Sequence, residues 1–215
     1  MKNTNIKPRS KALRILAILA SYVFHPVFMP TAVALAISFL NVSGFAGIPD
    51  IQKGKWIVYI AVNTLFFPLV ATLLMKALGF IESIHLRTMK DRIIPLIATM
   101  IFYFWAYRVF KSIHAPFILN VFLLGCFWGV IVVFMINIFS KISMHTAAAG
   151  GMLGILFVLL FIGQVNFLVP IFLAMLIAGI IGTARLTLGA HTPFEIWLGY
   201  GAGIVTQIAA YFFLK

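Results

Sequence analysis

Thr146 to Ala184 reads TAAAGGMLGILFVLLFIGQVNFLVPIFLAMLIAGIIGTA and holds no charged residue. A helix crosses the roughly 30 Å hydrocarbon core of a bilayer with about 20 apolar residues. This run is about twice that length, so it predicts two spans, hinged where the amides Gln164 and Asn166 interrupt it. The pattern repeats outward. Phe117 to Ser140 is a second uncharged run, and Ile93 to Phe110 precedes it, with Arg108 placed to snorkel at its end. Trp56 opens a span reaching about Leu78, in the position of an interfacial anchor. Leu13 to Leu40 is the first candidate, broken or kinked by Pro26 and Pro30, and Ile196 to Leu214 is the last. The predicted fold is all-α: a polytopic membrane helix bundle of six to seven transmembrane helices, in one integral membrane domain over residues 1–215.

Composition excludes the soluble alternatives. The 215 residues are 63% hydrophobic and 9% charged, with a mean hydropathy of +1.12. A water-soluble domain uses about a quarter charged residues to cover its surface. The 16 Lys and Arg outnumber 4 acids. They sit at the ends of apolar runs, which reads as topology signalling and headgroup contact, with no nucleic-acid partner. The acids Asp50, Glu82, Asp91 and Glu195 are scattered. They cannot form the paired carboxylate clusters with which magnesium-dependent enzymes hold pyrophosphate. Cys126 is alone in an apolar run and predicts packing rather than chemistry. The basic N-terminus, with Lys2, Lys7, Arg9, Lys11 and Arg14, precedes a run uncharged from Ile15 to Ile48. That run is too long for a signal-peptide core, so a retained first helix is expected.

Small residues at Ala147 to Gly151, Gly154, Gly199 and Gly203 fall four apart on helical faces and predict close helix packing. Parity then matters. Two predicted spans separate Arg92 from Ser143, and two more separate His145 from Arg185, so all of these residues are expected on one membrane face.

The segment Ala184 to Gly199, ARLTLGAHTPFEIWLG, carries the densest chemistry. If His191 and Glu195 begin the last helix, a spacing of four puts them on one face. A carboxylate on one imidazole nitrogen fixes the tautomer and leaves the other free to attack. Arg185 offers a planar donor fork for phosphate oxygens. In Lys141-Ile142-Ser143-Met144-His145, Ser143 is expected to cap a helix whose free N–H groups can bind phosphate. His145 is placed to act as general acid and base. The loop Glu82 to Arg92 adds Arg87, Lys90 and Arg92 as candidate phosphate contacts, with a topology signal as the plainer reading. The His25-Pro26 break could line a cavity or simply kink the chain.

Ser143-Met144-His145 resembles the Ser-Gly-His motif of the type 2 phosphatidic acid phosphatases. Ala184-Arg185, then His191 and Glu195, is similar in spacing to that family's Ser-Arg-x5-His-x3-Asp motif. The sequence departs at Ala184, Glu195 and Met144. The family's first motif, Lys-x6-Arg-Pro, is echoed only by His85 and Arg92, with Pro95 displaced. The resemblance implies a core over about residues 80–215, with His191 as nucleophile, Glu195 orienting it and His145 as general acid and base. Arg185 and Ser143 would hold phosphate. No metal and no cofactor would be required. It also implies a lipid phosphate or polyprenyl diphosphate substrate, a phosphohistidine intermediate and residence in a bacterial cytoplasmic (inner) membrane. The alternative is a catalytically degenerate relative that binds lipid phosphate or scaffolds a complex. With the N-terminus cytoplasmic, eleven cations against five lie on the motif face, which favours a cytoplasmic site; many bacterial relatives in the family work on the outer face. A re-entrant pair in the first span would reverse that orientation.

Overall fold

The computed structural model describes residues 10–40, 43–86, 88–163 and 168–215. Among them are eight helices and no strand. We number them α1 (Lys11–Val23), α2 (Met29–Phe39), α3 (Asp50–Ala77), α4 (Met89–Ser112), α5 (Phe117–Phe139), α6 (Met144–Phe161), α7 (Leu168–Thr187) and α8 (Pro193–Leu214). The six from α3 to α8 are each long and apolar enough to cross a bilayer. Their outward faces carry Phe139, Phe161, Phe172, Trp197 and Phe213, large apolar side chains left exposed by the bundle. Only lipid suits such a surface, and the chain is an integral membrane protein.

The expected first span is two helices rather than one. The α-helical region is disfavoured for the residue before a proline, so α1 stops at Val23 and His25 precedes Pro26 in a turn. Pro30 falls in the first turn of α2, where its missing N–H has no partner to lose. Of the other spans, α3 starts earlier than expected, at Asp50, whose carboxylate pairs with Lys53 one turn on at 3.1 Å. The hinge residues Gln164 and Asn166 lie outside the described residues, as do Arg87 and the first three N-terminal cations.

Inside α3 a wide π turn, Val62–Phe66, precedes Pro68. Pro68 has no N–H to give the carbonyl of Thr64, four residues back, and the Tyr103 hydroxyl donates to that carbonyl at 3.3 Å instead. The proline thus leaves α3 a carbonyl that ties it to α4.

The centre of the bundle is α6, against which α8 lies at backbone contact. A Cβ at Gly203 would meet Ala147 O at 2.1 Å and Gly151 N at 2.4 Å. A Cβ at Gly199 would meet Thr146 Oγ1 at 2.2 Å and Ser143 O at 2.8 Å. In lipid no hydrophobic effect pushes helices together, so this close approach supplies the packing that does.

Short connections alternate the helices. The ends of α1, α3, α5 and α7 meet the starts of α2, α4, α6 and α8 at one end of the bundle, here the site end. Arg92, Ser143, His145 and Arg185 share it, as parity predicts. Because α1 finishes there, Lys11 and Arg14 at its start do not belong to that end. Among the described residues from α3 to α8, Lys76, Lys90, Arg92, Lys141 and Arg185 lie at that end, against Lys53, Lys55, Arg108, Lys111 and Lys215 at the other. These described helices carry five cations at each end and show no positive-inside bias.

Candidate functional site

Thr192 caps α8: its hydroxyl accepts from Glu195 N–H, and the Glu195 carboxylate accepts from Thr192 N–H, both at 3.3 Å. This capping box fixes the Glu195 side chain at the helix start. The same carboxylate oxygen, Oε2, accepts from His191 Nδ1–H at 2.7 Å. Cap and dyad therefore share one atom, and the helix start holds the imidazole. His191 is buried, its side chain 2% exposed, while Glu195 stands behind it at 18%. Burial pushes the His191 pKa below its ordinary value; the Glu195 bond opposes this, and the charges of Arg92 and Arg185 add to it.

The start of α6 is locked to this element. Ser143 N–H donates to the Glu195 backbone carbonyl at 3.3 Å, and Lys141 Nζ donates to Ala190 O at 3.4 Å. Ser143 is fully buried, and its hydroxyl accepts from Thr146 N–H at 3.4 Å. Its role is the expected cap; it does not line the cavity described below, so it is one step removed from any ligand there. Its neighbours Met144 and His145 do line it.

Arg92 is buried, 4% exposed. Its Nε donates to Leu86 O at 2.9 Å and its Nη1 to Ile142 O at 2.8 Å. It braces the loop before α4 against the loop before α6 while also lining the cavity. Leu86 is held at φ +48°, a left-handed conformation that favours glycine, and the Arg92 bond pins it. Asp91 fixes the same loop from below, accepting Glu82 N–H at 3.0 Å. Lys90 is exposed on the first turn of α4 and does not line the cavity.

Arg185 leaves its buried Nε without a partner and gives Nη1 to the hydroxyl of Ser21 at 3.3 Å. The Ser21 carbonyl also faces Nε2 of His145 at 3.2 Å. His25 stacks edge-on against His145, ring centroids 5.3 Å apart. Burial lowers the His25 pKa, and the positive charges of Arg185 and His85 lower it further. The N-terminal segment thus enters the site. In the sequence the proline break marks His25, whereas Ser21, one serine in an apolar helix, carries no such sign.

These groups surround the mouth of a single cavity of about 440 Å³. His25, His85, His145 and His191, four of the protein's five histidines, line it with Arg92 and Arg185. No Asp or Glu lines the cavity; Glu195 meets it only through its bond to His191. Such a mouth attracts anions with several acceptor oxygens. Among the described residues no three His, Cys, Asp or Glu side chains gather to hold a metal ion. Comparison with family models, curated proteins and solved structures gives no match.

Proposed function

We propose that the chain is a membrane phosphatase that hydrolyses a lipid phosphate through a phosphohistidine at His191. The observation carrying this reading is the 2.7 Å His191–Glu195 dyad, buried beside two arginines and a second histidine at one cavity mouth. With Nδ1–H held by Glu195, the lone pair of Nε2 is the nucleophile. It attacks phosphorus, the bond to the lipid oxygen breaks, and His145, entering the step as the imidazolium, gives that oxygen a proton and is left neutral. His145 then takes a proton from water as the water oxygen attacks the phosphohistidine, freeing His191 and inorganic phosphate. Arg185 and the remaining N–H groups of Arg92 neutralise the phosphoryl oxygens as charge builds. No step uses a metal or an organic cofactor. The substrate class is a phosphorylated membrane lipid, monophosphate or polyprenyl diphosphate, and the compartment a bacterial cytoplasmic membrane.

The resemblance at Ser143–His145 and Arg185–Glu195 supports the same reading. A second reading, lipid-phosphate binding without turnover, is favoured by one observation: Ser21 occupies donors of both His145 and Arg185. Phosphate release from a panel of lipid phosphates in EDTA separates them. Release that disappears in both His191→Ala and His145→Ala supports turnover. Release unchanged in both ends the phosphatase reading, and saturable binding that weakens in Arg185→Ala with no product favours the second.

A further inference from the structure

The cavity continues below its polar mouth as an apolar shaft. Along α4 its lining runs from Arg92 to Tyr103 and along α5 from Val133 to Phe122. At 1.5 Å per residue each stretch is about 16 Å, close to half of a hydrocarbon core roughly 30 Å thick. The shaft therefore reaches as deep as one lipid leaflet. A water-soluble phosphate ester needs no such depth, and water gains little from an apolar wall.

Glycine makes the room. Gly129 and Gly151 line the shaft without side chains, and a Cβ at Gly129 would meet only Thr206 Oγ1, at an ordinary 3.5 Å. The floor is closed by an interlock: the Gln207 amide fills the space at Gly125, where a Cβ would lie 2.5 Å from it. Gln207 is 1% exposed. Its Nε2 donates to Phe122 O at 3.3 Å, and its Oε1 has no hydrogen-bond partner. A polar amide thus ends the apolar tube.

The wall has a side opening. α2 packs on the first half of α3 and diverges from the second, beyond the π turn and Pro68. Phe28, Leu69 and Leu73 line the cavity there, and each is almost half exposed rather than sealed by a neighbouring helix. A membrane lipid can pass this gap sideways while its head stays at headgroup depth.

Resting on the phosphatase reading for the mouth, we infer that the shaft binds one hydrocarbon chain of the phosphorylated lipid. That chain enters from the bilayer between α2 and the second half of α3 and ends against Gln207. The site is a length gauge as well as a binding site, because chain beyond the floor has nowhere to go.

The test uses full-length protein in nanodiscs and a ladder of n-alkyl phosphonates from butyl to hexadecyl. With each ligand counted per bilayer lipid, so that partitioning drops out, wild-type affinity should rise modestly with chain length through packing against the shaft wall and then level off, because lipid tails are as apolar as that wall. Gly129→Leu, which also improves helix propensity, should level off at shorter chains and bind hexadecyl at least tenfold more weakly, with butyl unchanged. Val130→Phe, on the same wall, should do likewise. Identical length profiles in wild type and both variants would overturn the shaft. A length ladder without phosphate release from any alkyl phosphate would end the phosphatase reading and keep the shaft. Release independent of chain length would keep that reading and end the shaft.

Discussion

The carbonyl oxygen of Ser21 lies 3.2 Å from Nε2 of His145, and the hydroxyl of the same serine is 3.3 Å from Nη1 of Arg185. A carbonyl only accepts, so Nε2 carries the proton of that bond. One residue of α1 therefore presents two oxygens to the two groups that would face a phosphoryl oxygen and a leaving group. α1 is itself weakly held: Ala17 is its one buried residue.

If Ser21 competes with phosphate for Arg185, then Ser21→Ala should tighten inorganic phosphate binding. Losing a hydrogen bond worth about 1 kcal/mol corresponds to about a fivefold lower Kd, measured by calorimetry on the detergent-solubilised protein. Weaker binding would instead show that Ser21 holds Arg185 in position.

The depressed pKa of His191 sets a pH dependence. The nucleophile is the neutral ring, so its acid limb should fall below the ordinary histidine value of about 6.5. Glu195→Gln removes a partner that raises this pKa, so the limb should move to still lower pH while kcat drops. The stability sign follows from linkage: the unfolded histidine binds protons first. The contribution is fully present above about pH 6.5 and is lost as pH falls from there through the folded value. A pH–rate profile and melting temperatures across that range check both.

Arg92 braces two backbone carbonyls, and Lys90 braces none. Arg92→Met leaves the carbonyls of Leu86 and Ile142 without a donor and should cost about 3 kcal/mol. Lys90→Ala should stay within about 0.5 kcal/mol and leave phosphate release unchanged. Thermal unfolding of the two variants side by side tests the distinction; equal losses would remove the bracing role.

Two glycines on α8 make a matched pair. A Cβ at Gly201 meets nothing within 4 Å, whereas one at Gly203 lies 2.1 Å from Ala147 O. Gly201→Ala should be neutral or stabilise by up to about 1 kcal/mol through helix propensity. Gly203→Ala should push α8 off α6, at a net cost of about 1–3 kcal/mol, and reduce phosphate release by separating His191 from His145. Melting temperature and turnover should fall together.

The sequence by itself determined the spans and the dyad. Lipid offers no hydrogen bonds, so each crossing must be a long apolar helix, and that is visible one residue at a time. His191 and Glu195 are joined by one helical turn, so their contact needed only local geometry. Gly199 and Gly203 were legible for the same reason, as a four-residue period. The division of the first span at Pro26 was only half legible, because a proline can either kink a helix or end it, and packing decides which. Tertiary structure alone brought Ser21 to Arg185 and His145, residues 164 and 124 positions away. It alone turned Ser143 toward α8 and Arg92 into a brace, left Lys90 outside, and closed the shaft with Gln207. These are contacts between helices in a medium where every helix looks alike in composition. Their partners are chosen by shape and by the few buried polar groups, which no single-helix pattern records.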